Sequence, residues 1–200
     1  MKRLLILMLA FFLLVPIDAN SQRKRNQKID SKTQNVSLNA FKLRNVGPAF
    51  LSGRIADIAI HPNNESIWYV AVGSGGVWMT ENAGTTWKPI FDSQPTYSTG
   101  SITIDPSNPS IIWVGSGENV GGRHVGYGDG VYRSSDGGKT WKNMGLKNSE
   151  HISEIIVHPD DSNVVYVASQ GPLWSSGGER GLYKTIDGGK SWNKILGGSE

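Results

Sequence analysis

The chain has 200 residues, enough for one ordinary domain or two small ones, with 25 glycines, seven tryptophans and no cysteine. Only 18% of residues are charged, which excludes a highly charged disordered chain and suits short strands better than a helical bundle; disulfides, thiolate chemistry and a thiol-linked lipid anchor are excluded too. The net charge of +3 misleads: six basic residues and one acid lie in the first 28 positions, and removing them from the 20 basic and 17 acidic residues leaves 14 against 16, a net of −2 with no nucleic-acid footprint.

Met1-Lys2-Arg3 is a short positive segment, and Leu4 to Ile17 is an apolar run broken near its end by Pro16. Asp18-Ala19-Asn20-Ser21 is small and polar. The run is shorter than the roughly 20 residues of a membrane-spanning helix. Residues 1–20 therefore read as a secretory signal peptide, no transmembrane segment is predicted, and the expected location is secreted, periplasmic or at the cell surface. Residues 21–40 are polar and aperiodic, a flexible lead-in with a solvated basic run.

From there the chain repeats. Ile58-Ala-Ile60-His61-Pro62 recurs as Ile102-Thr-Ile104-Asp105-Pro106 and as Ile155-Ile-Val157-His158-Pro159. Seven residues after each proline stands an aromatic followed by valine: Tyr69-Val70, Trp113-Val114 and Tyr166-Val167. Then come Gly76-Val-Trp78, Gly130-Val-Tyr132 and Gly181-Leu-Tyr183, and each copy ends in a polar hairpin closed by Trp87, Trp141 or Trp192. An apolar residue lies three positions further on: Ile90, Met144 and Ile195.

In the first copy, strand A is predicted at about 54–61, B at 67–73, C at 76–80 and D at 86–91. Proline and asparagine end strand A, because proline lacks the ladder donor and asparagine favours turns. The same division fits the later copies, and no stretch between them has a helical period. Four antiparallel strands per repeat of about 50 residues is the signature of a β-propeller blade. The expected fold is all-β: a partial propeller of three four-stranded blades, at about 54–92, 99–145 and 151–197, within a domain spanning 41–200.

The hairpins read Thr80-Glu-Asn82-Ala-Gly84-Thr-Thr86-Trp87, Ser134-Ser-Asp136-Gly-Gly138-Lys-Thr140-Trp141 and Thr185-Ile-Asp187-Gly-Gly189-Lys-Ser191-Trp192. An Asp or Asn side-chain oxygen accepts backbone N–H groups across a tight turn, and glycine supplies its positive φ. The Ser and Thr hydroxyls add side-chain-to-backbone bonds, and the indole fixes the hairpin on the sheet. The pattern resembles the Asp-box, or BNR repeat, and the chain is similar to exported bacterial propellers of the sortilin N-terminal-like and glycosyl hydrolase-like BNR kind. Arg44-Asn-Val-Gly47-Pro48, Ser52-Gly53-Arg54, Gly73-Ser-Gly75-Gly76-Val-Trp78 and Gly115-Ser-Gly117-Glu118 carry that likeness, with His151-Ile152, Val167-Ala168 and Arg180-Gly181. The resemblance implies a structural role for the boxes, away from the functional face, and leaves chemistry open, because one propeller fold serves receptors, sialidases and xyloglucanases.

Strand order puts A–B turns and C–D hairpins on one rim and B–C and D–A loops on the other. The B–C loop is short in the first copy and long in the second and third, and insertions confined to one rim mark a binding face. The ligand-binding candidates there are Arg54, Glu118, Arg123, His124, Tyr127, Trp174 and Arg180, with Glu118 and Asp129 as catalytic candidates. Arginine pairs with carboxylates and the aromatics stack on a sugar or peptide, while Glu179 pairing locally and Trp174 capping the core are the competing structural roles. Arg54, Arg123 and Arg180, from successive copies, are the residues for a sialidase-like arginine cluster. Two departures weigh against an enzyme: sialidases carry Arg-Ile-Pro where this chain has Arg54-Ile55-Ala56, and xyloglucanases place an aspartate where it has Gly73-Ser74.

No HExxH, P-loop, GxSxG or Cys/His constellation is present, so no metal or cofactor is expected. The expected partner is a glycan or a protein or peptide ligand, bound by a module on the B–C/D–A rim. The alternatives are a glycoside hydrolase with residues beyond position 200 and a structural scaffold. Because propellers close with about 4 to 8 blades, the rest of the ring is expected from further sequence or other chains, with Phe41–Val46 as an outer strand of the last blade.

Overall fold

A computed structural model describes residues 54–122 and 124–197, all within one compact unit, Arg44–Glu200. The expected signal peptide, lead-in and Phe41–Val46 strand, and the candidate Arg123, lie outside the described residues.

Twelve strands and no helix occur among the described residues. The first sheet runs β1 (Ile55–Ile60), β2 (Trp68–Val72), β3 (Gly76–Thr80), β4 (Lys88–Pro89). The second runs β5 (Thr99–Ile104), β6 (Ile112–Ser116), β7 (Val131–Ser134), β8 (Lys142–Asn143). The third runs β9 (Ile152–His158), β10 (Asp161–Ser169), β11 (Gly181–Thr185), β12 (Asn193–Leu196). Every pairing is antiparallel and every sheet keeps chain order, as expected of three propeller blades. The outer strands β4 and β8 are shorter than expected, at two residues each, because the box hairpin turns the chain before the ladder resumes. In the third blade β10 begins at Asp161, so the turn after Pro159 is tighter than in the other blades.

Side chains alternate between two faces of each sheet. In the first blade Ile58, Val70 and Trp78 form one cross-strand row, and Ala59, Tyr69, Met79 and Lys88 form the other. The second row packs against the next blade: Tyr69, Met79 and Phe91 meet Ile102, Val114 and Tyr132 in one core. A second core joins Trp113, Val131 and Leu146 to Ile155, Val167 and Tyr183. The second and third box tryptophans span these boundaries, with Trp141 Nε1 donating to Ile90 O at 2.7 Å and Trp192 Nε1 to Met144 O at 2.8 Å. The acceptor is in both cases the residue three positions past the preceding box tryptophan.

The outward face of the first blade has no such neighbour among the described residues. Ile58 is 52% exposed, whereas its counterparts Ile102 and Ile155 are 3% and 1% exposed. A groove of about 320 Å³ lies there between Ile55, Ile58, Trp68, Val70, Trp78 and Trp87.

The three box hairpins share one hydrogen-bond pattern. Ser134 Oγ accepts from Gly138 N at 2.8 Å and donates to Asp136 Oδ1 at 2.7 Å, which also accepts from Thr140 N at 2.8 Å. Thr185 and Asp187 repeat this with Gly189 and Ser191. In the first box Asn82 Oδ1 accepts from Thr86 N at 2.8 Å, while its Nδ2 donates to Thr86 Oγ1. The amide thus keeps the geometry without the charge.

The Thr140 hydroxyl, with the Thr140 N–H and the Ser134 hydroxyl, lowers the Asp136 carboxyl from 3.8 to about 2, and the equivalent donors around Asp187 lower it further. A folded pKa below the unfolded one adds stability above the unfolded value that fades as pH falls through the folded one. Between pH 4 and pH 2 the native protein is therefore expected to lose stability more steeply than Asp136→Asn, read by urea midpoints.

At the turn, Ala83 has φ 52, while Gly137 and Gly188 have φ 70 and 71 at the same position of the later boxes. A left-handed conformation costs an L-residue roughly 1–2 kcal/mol, more than the entropy glycine loses on folding. Ala83→Gly is expected to stabilise the protein by about 0.5 kcal/mol, a small rise in urea midpoint. A fall would show that the strain is absent.

Candidate functional site

On the B–C/D–A rim, Gly117 (φ 83) turns the chain out of β6 and drops Glu118 between the first two blades, where it is 2% exposed. Its carboxylate is ion-paired with Arg54, which leads into β1, and Oε1 accepts from Ser74 Oγ at 2.6 Å. Its N–H donates to Ser98 Oγ and to Gly126 O. Gly73 makes room for it, since a Cβ there would stand 2.9 Å from Glu118 Oε1. The Arg54 side chain is 42% exposed and also contacts His124, Nη1 to Nε2, at 3.1 Å. A buried carboxylate thus holds a guanidinium at the surface beside an imidazole.

His151 lies beneath this arrangement, fully buried, with Nδ1 2.8 Å from Glu118 O. A carbonyl oxygen only accepts, so Nδ1 carries the proton. Burial pushes the His151 pKa down from 6.5, which keeps the ring neutral and makes Nε2 a bare acceptor. The Tyr127 ring packs 5.5 Å from it, centroid to centroid. Tyr127 is itself exposed, as are Tyr97 in the D–A loop before β5 and Trp174 in the third-blade B–C loop.

The remaining candidates do not join Glu118. Asp129 accepts from the Tyr132 hydroxyl at 2.7 and 2.8 Å, and its N–H donates to Ser116 Oγ at 2.8 Å. Burial, with Asp129 added, pushes the Tyr132 phenol up to about 12. Asp129 thus holds the B–C loop against β7. Arg180 Nη2 donates to Pro172 O at 2.5 Å and to Ser175 O at 3.2 Å, turning into its own loop rather than toward Arg54. Glu179 accepts from Asn148 N at 2.7 Å, a partner 31 residues away in the preceding D–A loop and not a local one, and Trp174 is exposed. Sequence reasoning missed Ser74, His151 and Tyr97 as site residues. His151 stood in a quoted motif, but nothing in its spacing showed that its ring would reach under Glu118. No group of three His, Asp or Glu residues placed to hold a metal exists among the described residues.

Comparison with known proteins places these blades. Residues 129–197 match the family model described as Sortilin-Vps10 (sortilin, neurotensin receptor 3). A xyloglucanase of Hypocrea jecorina is 25% identical over 170 residues, covering 78% of this chain and 19% of that protein. An oligoxyloglucan-reducing end-specific xyloglucanase of Emericella nidulans is 32% identical over 114 residues, covering 56% of this chain and 14% of that protein. Among solved structures, the Niastella koreensis GH74 enzyme superposes with a TM-score of 0.54 at 26% identity, covering 70% of this chain and 21% of its own. An ancestral GH74 enzyme gives 0.55 at 22% identity, covering 73% and 19%. The chain spans about a fifth of the length of the curated relatives it matches.

Proposed function

We propose that this chain supplies blades of an exported Asp-box propeller that binds a neutral or weakly charged glycan on its B–C/D–A rim. The observation that carries this reading is the rim itself: its loops expose three aromatics, Tyr97, Tyr127 and Trp174, and an Arg54–His124 pair whose guanidinium is ion-paired with buried Glu118. Aromatic faces stack on sugar rings, and a preorganised guanidinium and imidazole add directional hydrogen bonds. The xyloglucanase relatives support a glycan over a peptide. Binding is favoured over hydrolysis within these blades, because glycosidases need two carboxyl groups at a set separation. Here Glu118 is taken by Arg54 and Ser74, and Asp129 by Tyr132. Hydrolysis is the second reading, favoured by the GH74 likeness, and calls for carboxylates from other blades.

Isothermal titration of the full-length protein with xyloglucan heptasaccharide tests the reading. Saturable binding is expected, weakened about tenfold by Tyr127→Ala or Trp174→Ala, in keeping with loss of one aromatic contact. Release of reducing ends would favour the hydrolase. Absence of saturable binding would sink the glycan reading. In the same proposal, a further blade of the same repeat covers the exposed Ile58 face, because the two described boundaries show what an apolar row of this kind packs against.

A further inference from the structure

The opposite, Asp-box rim carries a polar cleft of about 410 Å³ between the second and third blades. Arg133 and Lys142 line it from the second blade, Lys190 and Asp187 from the third. Arg133 and Lys142 are direct cross-strand partners in the β7–β8 pairing. Like charges directly opposite each other destabilise a sheet. Among the described residues, neither they nor Lys190 makes an ion pair. The Arg133 guanidinium lies 5.6 Å above the Trp113 ring centroid, and its buried Nε has no hydrogen-bond partner. Asp187 makes no ion pair with them, its oxygens accepting from Thr185, Lys190 N and Ser191 within the box turn, so a single carboxylate charge stands against three cations.

The first blade provides an internal control. Where the second blade has Arg133, Ser135 and Lys142, the first has Met79, Glu81 and Lys88. There Met79 is buried, and Lys88 donates to Glu81 at 2.7 Å. The second blade has exchanged an apolar side chain for a cation and removed the carboxylate that neutralises the neighbouring lysine. The result is three cations around one hydrogen-bonded carboxylate, with Asn163 and Thr140 also in the lining.

We propose that this cleft binds an acidic saccharide unit, its carboxylate or sulfate held by Arg133, Lys142 and Lys190. A planar guanidinium grips such an anion through two parallel N–H donors. Its volume lies at the small end of ligand pockets, about 300–1,000 Å³. The groups around the cations favour a sugar over an acidic peptide: the Asn163 amide and the Ser135 and Thr140 hydroxyls suit ring hydroxyls.

The test is titration of the full-length protein with trigalacturonic acid, beside neutral galactotriose, hexaglutamate and inorganic sulfate. Trigalacturonic acid is expected to bind saturably, and more weakly as salt rises, because the contact is ionic. Arg133→Met and Ser135→Glu are each expected to weaken it about tenfold or more, as loss or neutralisation of a charge-assisted contact does. Both install the residue the first blade carries there, so the fold is preserved. Tyr127→Ala on the opposite rim is expected to leave it unchanged, which separates this site from the rim site. A sulfated galactotriose that binds with the same two losses supports the proposal and identifies the anion. Equal binding of galactotriose, tighter binding of hexaglutamate or inorganic sulfate, full retention in both variants, or no saturable binding of either acidic sugar would overturn it.

Discussion

Arg54→Met is expected to lower the stability of the protein by about 2 kcal/mol, while Arg54→Met combined with Glu118→Gln is expected to recover about half of that loss. Glu118 is 2% exposed, and its charge is balanced by Arg54 alone among the described residues. Removing one partner of a fully buried pair costs about 3–5 kcal/mol, because the other charge stays buried without compensation. The Arg54 side chain is 42% exposed, so water reaches the pair and the cost is reduced. Glutamine removes the charge and still accepts from Ser74, which acts on Oε1 at 2.6 Å. A double-mutant cycle by urea denaturation reads the coupling, and strict additivity of the two changes would show that Glu118 does not anchor Arg54. Because Arg54 also contacts His124, the same variants are expected to disturb the pair proposed to face the glycan, so stability and glycan affinity fall together.

Trp141→Ala is expected to cost about 3–4 kcal/mol, the range for truncating a large aromatic in a core. The ring stands edge-on to Phe91 at 5.3 Å, and Nε1 donates across the blade boundary to Ile90 O. Trp141→Phe keeps most of the ring and orphans that carbonyl, for an expected loss of about 1–2 kcal/mol. Trp87 occupies the same box position but makes no such cross-blade bond among the described residues. Trp87→Phe is therefore expected to cost under about 0.5 kcal/mol in this chain and to approach the Trp141→Phe loss where a preceding blade covers it. Comparison of the two phenylalanine variants by thermal and urea unfolding checks this. Equal losses at Trp87 and Trp141 in the isolated chain would mean that the indole hydrogen bond is not what joins the blades.

Much of the fold was legible because its signals are local. The thrice-repeated Pro-x6-aromatic-Val spacing set the two inner strands of each blade, and the box hairpins formed with the hydrogen bonds their residue types allow. The outer strands were less legible. β4 and β8 pair over two residues each, because ladder length there depends on where the hairpin releases the chain and not on side-chain alternation. The candidate site was legible as a rim but not as an arrangement. Asp129 and Glu118 looked alike as loop carboxylates, yet one is bound to Tyr132 and the other to Arg54, 64 residues away in the chain.

The sequence by itself determined the repeat, the antiparallel four-strand unit, the turn chemistry and the rim on which loops vary, because each follows from spacing and backbone preference within a few residues. Only the tertiary structure decided which charges meet. The pairing of Glu118 with Arg54, the ring of His151 beneath it and the unneutralised Arg133–Lys142 row arise where one blade packs on or pairs across another element. Burial and partnership are properties of that packing: a carboxylate or guanidinium acquires its role from the groups that surround it once water has been excluded.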